Sequence, residues 1–154
     1  MIADTRLGKY VTTPLHPHDA NATTLFAAGP ITIGLERRVL EPAMDAASAG
    51  GVCVHVFATD TMAEYLRFDC FRDGPHYHYI VPGDGNVVVR FDEAANGPAL
   101  DWALSAIRLR LRAMLTQVGA DTLAARVDDA ALASAVDKAD AQARSGRPSP
   151  EPAA

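Results

Sequence analysis

The sequence predicts an α+β domain: an antiparallel β-meander sheet with C-terminal helices packed on one face. Three observations carry this. Between Val52 and Asp92, runs of β-branched and aromatic residues are separated by short, turn-rich connections, the pattern of sequential hairpins. Leu100, Ala103, Leu104, Ile107, Leu111, Met114, Leu115 and Val118 recur at three- and four-residue steps, one apolar stripe of a long helix. The strands precede the main helices instead of alternating with them, which favours an antiparallel sheet covered on one side.

Taken in chain order, Lys9–Thr13 and Thr23–Ala27 are short strands separated by a loop, residues 14–21, that contains His16-Pro17-His18. Ile31–Ile33 follows the turn signal Gly29-Pro30. Pro42 fits the first turn of a helix, so a helix is placed at Pro42–Ala49, ended by Gly50 and Gly51. Val52–Ala58 is apolar on both faces, as an interior strand should be. Glu64–Phe71, Pro75–Val81 and Val87–Phe91 complete the meander. The stripe places a helix over Leu100–Val118, punctuated by Pro98 and Gly119, and helices at Thr122–Val127 and Asp129–Arg144 follow. Residues 1–144 form one domain, and residues 145–154, with prolines at 148, 150 and 152, form a disordered tail.

Composition narrows the function classes. The 154 residues are 49% hydrophobic and 21% charged, a globular balance, and the net charge of −5 argues against a general nucleic-acid binder, which needs a basic face. No apolar run approaches the roughly 20 residues of a membrane span. The N-terminus MIADTRLGKY has no signal-peptide core, so a cytoplasmic location is expected. Cys53 and Cys70 make neither a disulfide scaffold nor a C-x-x-C pair. There is no P-loop, G-x-S-x-G or H-E-x-x-H motif, and Gly83-Asp84-Gly85 reads as a hairpin turn.

The segment from Tyr65 to Ile80 carries the chemistry. A four-residue loop, Arg72–Pro75, pairs Phe71 with His76, Asp69 with His78 and Arg67 with Ile80. Side chains alternate, so Leu66, Phe68, Cys70, Tyr77, Tyr79 and Val81 share one face, and Arg67, Asp69, Phe71, His76 and His78 share the other. A five-residue loop, Pro82–Asn86, then sets Arg90 near His78 and Asp92 near His76, keeping Val87, Val89 and Phe91 in the core.

Three uses of that polar face follow. In the first, Asp69 orients His78 as a general acid or base, His76 is a second proton-transfer group, and Arg67, Arg90 and Phe71 bind a small anionic substrate. In the second, His76 and His78 join Asp69 or Asp92 around a divalent metal, since an H-x-H pair on a strand points both imidazoles to one side; Zn, Fe or Mn suits such an N/O set. In the third, the domain is a non-catalytic, homo-oligomeric binding or accessory protein whose polar sheet face is simply solvated. Elsewhere, His16 and His18 read as loop residues able to fold over the meander, and His55 as a satisfied core histidine. Cys53 shares a face with His55, but burial would disfavour its thiolate.

Overall fold

The computed structural model describes residues 12–13, 15–38 and 51–145. The expected helix Pro42–Ala49, the start of the strand Lys9–Thr13 and the tail beyond Ser145 lie outside the described residues.

Among the described residues, seven strands form one sheet: β1 Thr12–Thr13, β2 Thr23–Ala28, β3 Ile31–Arg38, β4 Gly51–Ala58, β5 Glu64–Phe71, β6 His76–Val81 and β7 Gly85–Arg90. Their spatial order is β1-β7-β6-β5-β4-β3-β2, and every neighbouring pair is antiparallel. The strands β2 to β7 thus pair in chain order, the antiparallel meander expected. The helices α1 Glu93–Asn96, α2 Ala99–Gln117, α3 Asp121–Ala125 and α4 Asp129–Arg144 follow it. Among the described residues, no helix is long and apolar enough to cross a membrane.

The two faces of the sheet divide the labour. Ile33, Leu35, Val54, Val56, Leu66 and Phe68 alternate onto the face that α2 and α4 cover, and meet Ile107, Leu115 and Val136 there with almost no exposure. Trp102 of α2 packs against Phe68, Tyr77 and Phe91 at centroid distances of 5.9, 5.1 and 4.8 Å. Burial of that many large apolar side chains, each stabilising by roughly 1.5–3 kcal/mol, anchors the helix layer. Thr32, Glu36, Cys53, His55, Arg67, Asp69 and His78 alternate onto the opposite face and are buried as well. That face is therefore not the solvated surface of the third reading.

The structure corrects the expected register by two residues. Asp69 pairs with His76 and Arg67 with His78, where Asp69–His78 and Arg67–Ile80 were expected. Pro75 has no N–H to close a tight hairpin, and its carbonyl accepts from Phe91 N–H instead, which holds the turn open. On the other side, His76 pairs with Arg90 and His78 with Val88, so Arg90 is not beside His78 and Asp92 is not beside His76. Here the loop is shorter than expected: left-handed Gly83 and Gly85, at φ 80 and 105, let Val81 pair directly with Gly85. Both slips are even, so each residue keeps its face while its neighbours change. A further difference lies in β3, which runs on past Ile33 to Arg38 and brings Glu36 onto the polar face.

Gly34, in mid-strand on that face, lies where a Cβ would meet Phe57 Cε2 at 2.7 Å and Thr23 Cγ2 at 3.0 Å. Phe57 is fully buried and has little room to retreat. Gly34→Ala is expected to lower stability by about 1–3 kcal/mol in chemical denaturation, the cost of overpacking; an unchanged midpoint would show that the Phe57 ring yields freely.

Candidate functional site

Two groups of polar side chains occupy the buried face, and they differ in how completely they are spent. The first centres on His55 of β4. Its Nε2 lies 2.8 Å from Glu36 Oε2 on β3, and its Nδ1 forms a short contact with Glu64 Oε2 on β5. Both partners are carboxylates, so both ring nitrogens carry protons and the imidazole is a cation. Burial opposes that charge, but the bonds from Glu36 and Glu64 outweigh it and raise the pKa of His55. Glu64 reaches this position through a bulge between Val56 and Phe57, and it also grips Arg67, accepting Nε at 3.0 Å and Nη2 at 2.5 Å. Arg38 Nε donates to Glu36 at 2.7 Å.

A strap, residues 15–19, lies over this group. His16 carbonyl accepts from Arg67 Nη1 at 2.7 Å, and the His18 ring sits 5.6 Å from His55 and 4.8 Å from Phe57. The loop histidines thus do fold over the meander, where His18 packs against rings and His16 contributes its backbone. Arg67, expected as an anion grip, has its guanidinium committed to Glu64 and the strap.

The second group is Asp69 of β5 with His76 and His78 of β6. Asp69 Oδ2 lies 2.9 Å from His76 Nε2 and 2.7 Å from His78 Nε2. Asp69 is 3% and His78 8% exposed, while the His76 side chain keeps 24% and so opens the group to solvent. Every far atom is tied down. His76 Nδ1 donates to Gly74 carbonyl at 2.9 Å, His78 Nδ1 meets Asn86 Oδ1 at 2.7 Å, and Cys53 Sγ donates to Asp69 Oδ1 at 2.8 Å. Burial would raise the carboxyl pKa of Asp69, but hydrogen bonds from His76, His78 and Cys53 prevail and hold it well below the usual range. Burial, then the Asp69 charge, push the Cys53 thiol far up, so Cys53 is a hydrogen-bond donor here and not a nucleophile.

Among the described residues, Asp69, His76 and His78 form a three-residue group able to hold a metal ion, with one ligand atom from each lying within 4.8 Å of the others. Asp92, the fourth metal candidate, lies apart: its carboxylate accepts from Ala94 and Ala95 N–H and caps α1. Arg90 is exposed and paired in register with His76. Phe71 packs edge-on to the His76 ring at 5.7 Å. Glu36, Glu64 and Asn86 were missed as members of this face. Glu36 had a signal, since Ile31, Ile33 and Leu35 continue the period-two pattern that places it there. Glu64 depends on a bulge, and Asn86 on a loop length, which local pattern does not encode.

A family model described as a domain of unknown function (DUF7700) matches residues 25–143, and the chain belongs to that family. No curated protein and no solved structure matches it.

The His55 group makes stability depend on pH in two directions. Glu36 falls from 4.5 to about 2, because bonds from His55 and Arg38 outweigh burial, and Glu64 is lowered too, by bonds from His55 and Arg67 against burial. Their contribution is complete above pH 4.5 and is lost as pH falls through the folded values. His55 is raised from 6.5, so its contribution is complete below that pH and is lost as pH rises through its folded value. The melting temperature should therefore be highest between these limits and decline on both sides, and His55→Gln should shrink the alkaline decline to the part supplied by His76, which its bond to Asp69 also raises against burial. An alkaline limb unchanged by His55→Gln would assign it to other groups.

Proposed function

We propose that this domain binds one divalent transition metal, Zn, Fe or Mn, through His76 Nε2, His78 Nε2 and Asp69 Oδ2, and uses the centre on a small anionic ligand. The observation that carries the reading is the anchoring of all three far atoms. Gly74 carbonyl can only accept, so the proton of His76 sits on Nδ1 and its Nε2 lone pair is left for a ligand role. Asn86 anchors the far nitrogen of His78 at 2.7 Å, and the Cys53 thiol holds Asp69 Oδ1 while Oδ2 faces both rings. Such outer partners fix the tautomer and orientation of metal-ligating side chains.

Hydrogen-bond chemistry supports the same reading. Without a metal, each Nε2 that bonds Asp69 Oδ2 does so by donating a proton, and a divalent ion would take the place of those protons between the same three atoms. Each imidazole Nε2 lies 2.7–2.9 Å from Asp69 Oδ2, and all three ligand atoms lie within 4.8 Å of one another, close enough for one ion to bridge them after a small adjustment. Three protein ligands leave a coordination position vacant, the arrangement of reactive rather than structural centres. A metal held this way supplies Lewis-acid activation of a water or of a ligand oxygen. Arg90, exposed beside His76, is the cation available to an incoming anion.

If the metal is absent in solution, the 2.7 Å contact between Asp69 and His78 supports acid–base chemistry at the same place, with Asp69 orienting the ring and His76 as a second proton carrier.

The deciding measurement is elemental analysis of protein purified without a metal-affinity tag, beside the His76→Ala/His78→Ala double variant. Near-stoichiometric Zn, Fe or Mn in the wild type that vanishes in the variant is the expected result; no metal in either ends the metal reading and leaves the acid–base one. Within the metal reading, Asn86→Ala and Cys53→Ala should each weaken metal affinity by about 10- to 100-fold, measured by competition with a chelating dye.

A further inference from the structure

We infer that two copies of this chain join edge to edge through β2, antiparallel about a two-fold axis at Leu25, to make one continuous sheet. The inference is independent of the proposed metal site.

β2 ends the sheet of the described residues, where it pairs with β3 alone. Its turn into β3 is two residues long, Gly29-Pro30, with Gly29 left-handed at φ 62. Such a turn makes its closing pair, Ala28 and Ile31, a hydrogen-bonded one. Bonded and non-bonded pairs alternate along an antiparallel ladder, so Phe26 and Thr24 bond to β3 as well. The N–H and C=O groups of Thr23, Leu25 and Ala27 therefore point away from the sheet. The 3₁₀ turn Ala20–Ala22 bounds this edge at one end and Gly29 at the other.

An edge of this kind is ordinarily defended by a charge, a proline or a bulge. The segment Thr23–Ala28 carries no charge and no proline, and its register with β3 is unbroken from Thr23 opposite Glu36 to Ala28 opposite Ile31. Leu25 is 52% exposed, and Ala27 on the same face is exposed too.

This edge is complementary to itself. With Leu25 opposite the partner's Leu25, Thr23 falls opposite the partner's Ala27. Every outward-pointing residue then belongs to a pair that exchanges two backbone bonds. Opposite residues share a face, so the polar face of one copy continues into that of the other. The two leucines cover each other at the axis, and neither strand brings a charge to repel its copy. Any extended chain could take the backbone bonds, but the second copy also pairs apolar with apolar and leaves no outward group unbonded. At the opposite edge the described part of β1 is only two residues long, so association closes at two copies. One strand of contact is a small interface, of the size that gives reversible, concentration-dependent dimers.

The test is sedimentation equilibrium of the full chain from low to high micromolar concentration, with amide exchange followed by NMR at both ends of that range. A monomer–dimer equilibrium is expected, in which the Leu25 and Ala27 amides gain protection as the dimer fills while the Phe26 amide is protected throughout. Leu25→Lys should raise the dimer dissociation constant about 10- to 100-fold, because two leucines lose their remaining burial and like charges meet at the axis. An equimolar mixture of Leu25→Lys and Leu25→Asp should associate more tightly than either variant alone. The inference is overturned by a wild type that stays monomeric, by a dimer that Leu25→Lys leaves intact, or by a mixture no tighter than its components. Leu25 and Ala27 amides that exchange equally fast at both concentrations overturn it as well. Should Leu25→Lys fail to fold, Ala27→Pro, which removes an outward N–H without touching the β3 ladder, decides in its place.

Discussion

Ionised side chains sealed against a sheet are tolerated only when each finds its counterpart, and this condition governs one whole side of the molecule. Glu36, His55, Arg67 and Asp69 are all nearly inaccessible to water. Each would cost several kcal/mol if left alone in such a setting. Instead, β3, β4 and β5 are stitched through Glu36–His55–Glu64, and β4, β5 and β6 through Cys53–Asp69–His78. In the observed register Asp69 lies opposite His76 and bonds both His76 and His78, so register and charge pairing agree. On the apolar face the same register stacks Tyr77 on Phe68.

The two polar groups have opposite characters. Around His55 both nitrogens and both carboxylates are committed, the strap closes over the top, and the result is a rigid electrostatic brace. Around Asp69 the far atoms are fixed while the near ones converge on a point that His76 leaves open to solvent. Rigidity of the first supports precision in the second, because β5 carries Glu64, Arg67 and Asp69 on one continuous strand. The helices take no part in this chemistry. Their apolar contacts stabilise the other face, so the hydrophobic core lies on one surface of the sheet and the charged network on the other.

The class and the order of elements were readable because period two and period three-to-four are strong signals over Val52–Phe91 and Leu100–Val118. The membership of the polar face in Arg67, Asp69, His76 and His78 followed from the same alternation and survived a wrong register, since both slips were even. The neighbours did not survive it. Pro75 and the pair Gly83 and Gly85 set loop lengths through a missing N–H and through left-handed backbone, and these effects act beyond the window in which alternation is read. His55 was recognisable as a buried, satisfied histidine, but its partners Glu36 and Glu64 arrive from other strands, one of them across a bulge. Asp92 looked like a ligand because acidic residues are good ligands; as the residue before a helix it is also a good cap, and the cap prevailed.

The meander has a consequence for the order in which the molecule is made. Every strand from β3 to β7 pairs with the described strand synthesised just before it, so the sheet can assemble as it leaves the ribosome, hairpin by hairpin, with little loop closure to wait for. The helices that cover Ile33, Leu35, Val54, Val56, Leu66 and Phe68 are all encoded after it. For the time it takes to translate residues 91–144, at about 5–20 residues per second, the nascent chain presents a complete but uncovered apolar surface. For that interval of several seconds the apolar face of the sheet has no cover of its own, and uncovered apolar surface is what makes a nascent chain prone to aggregate.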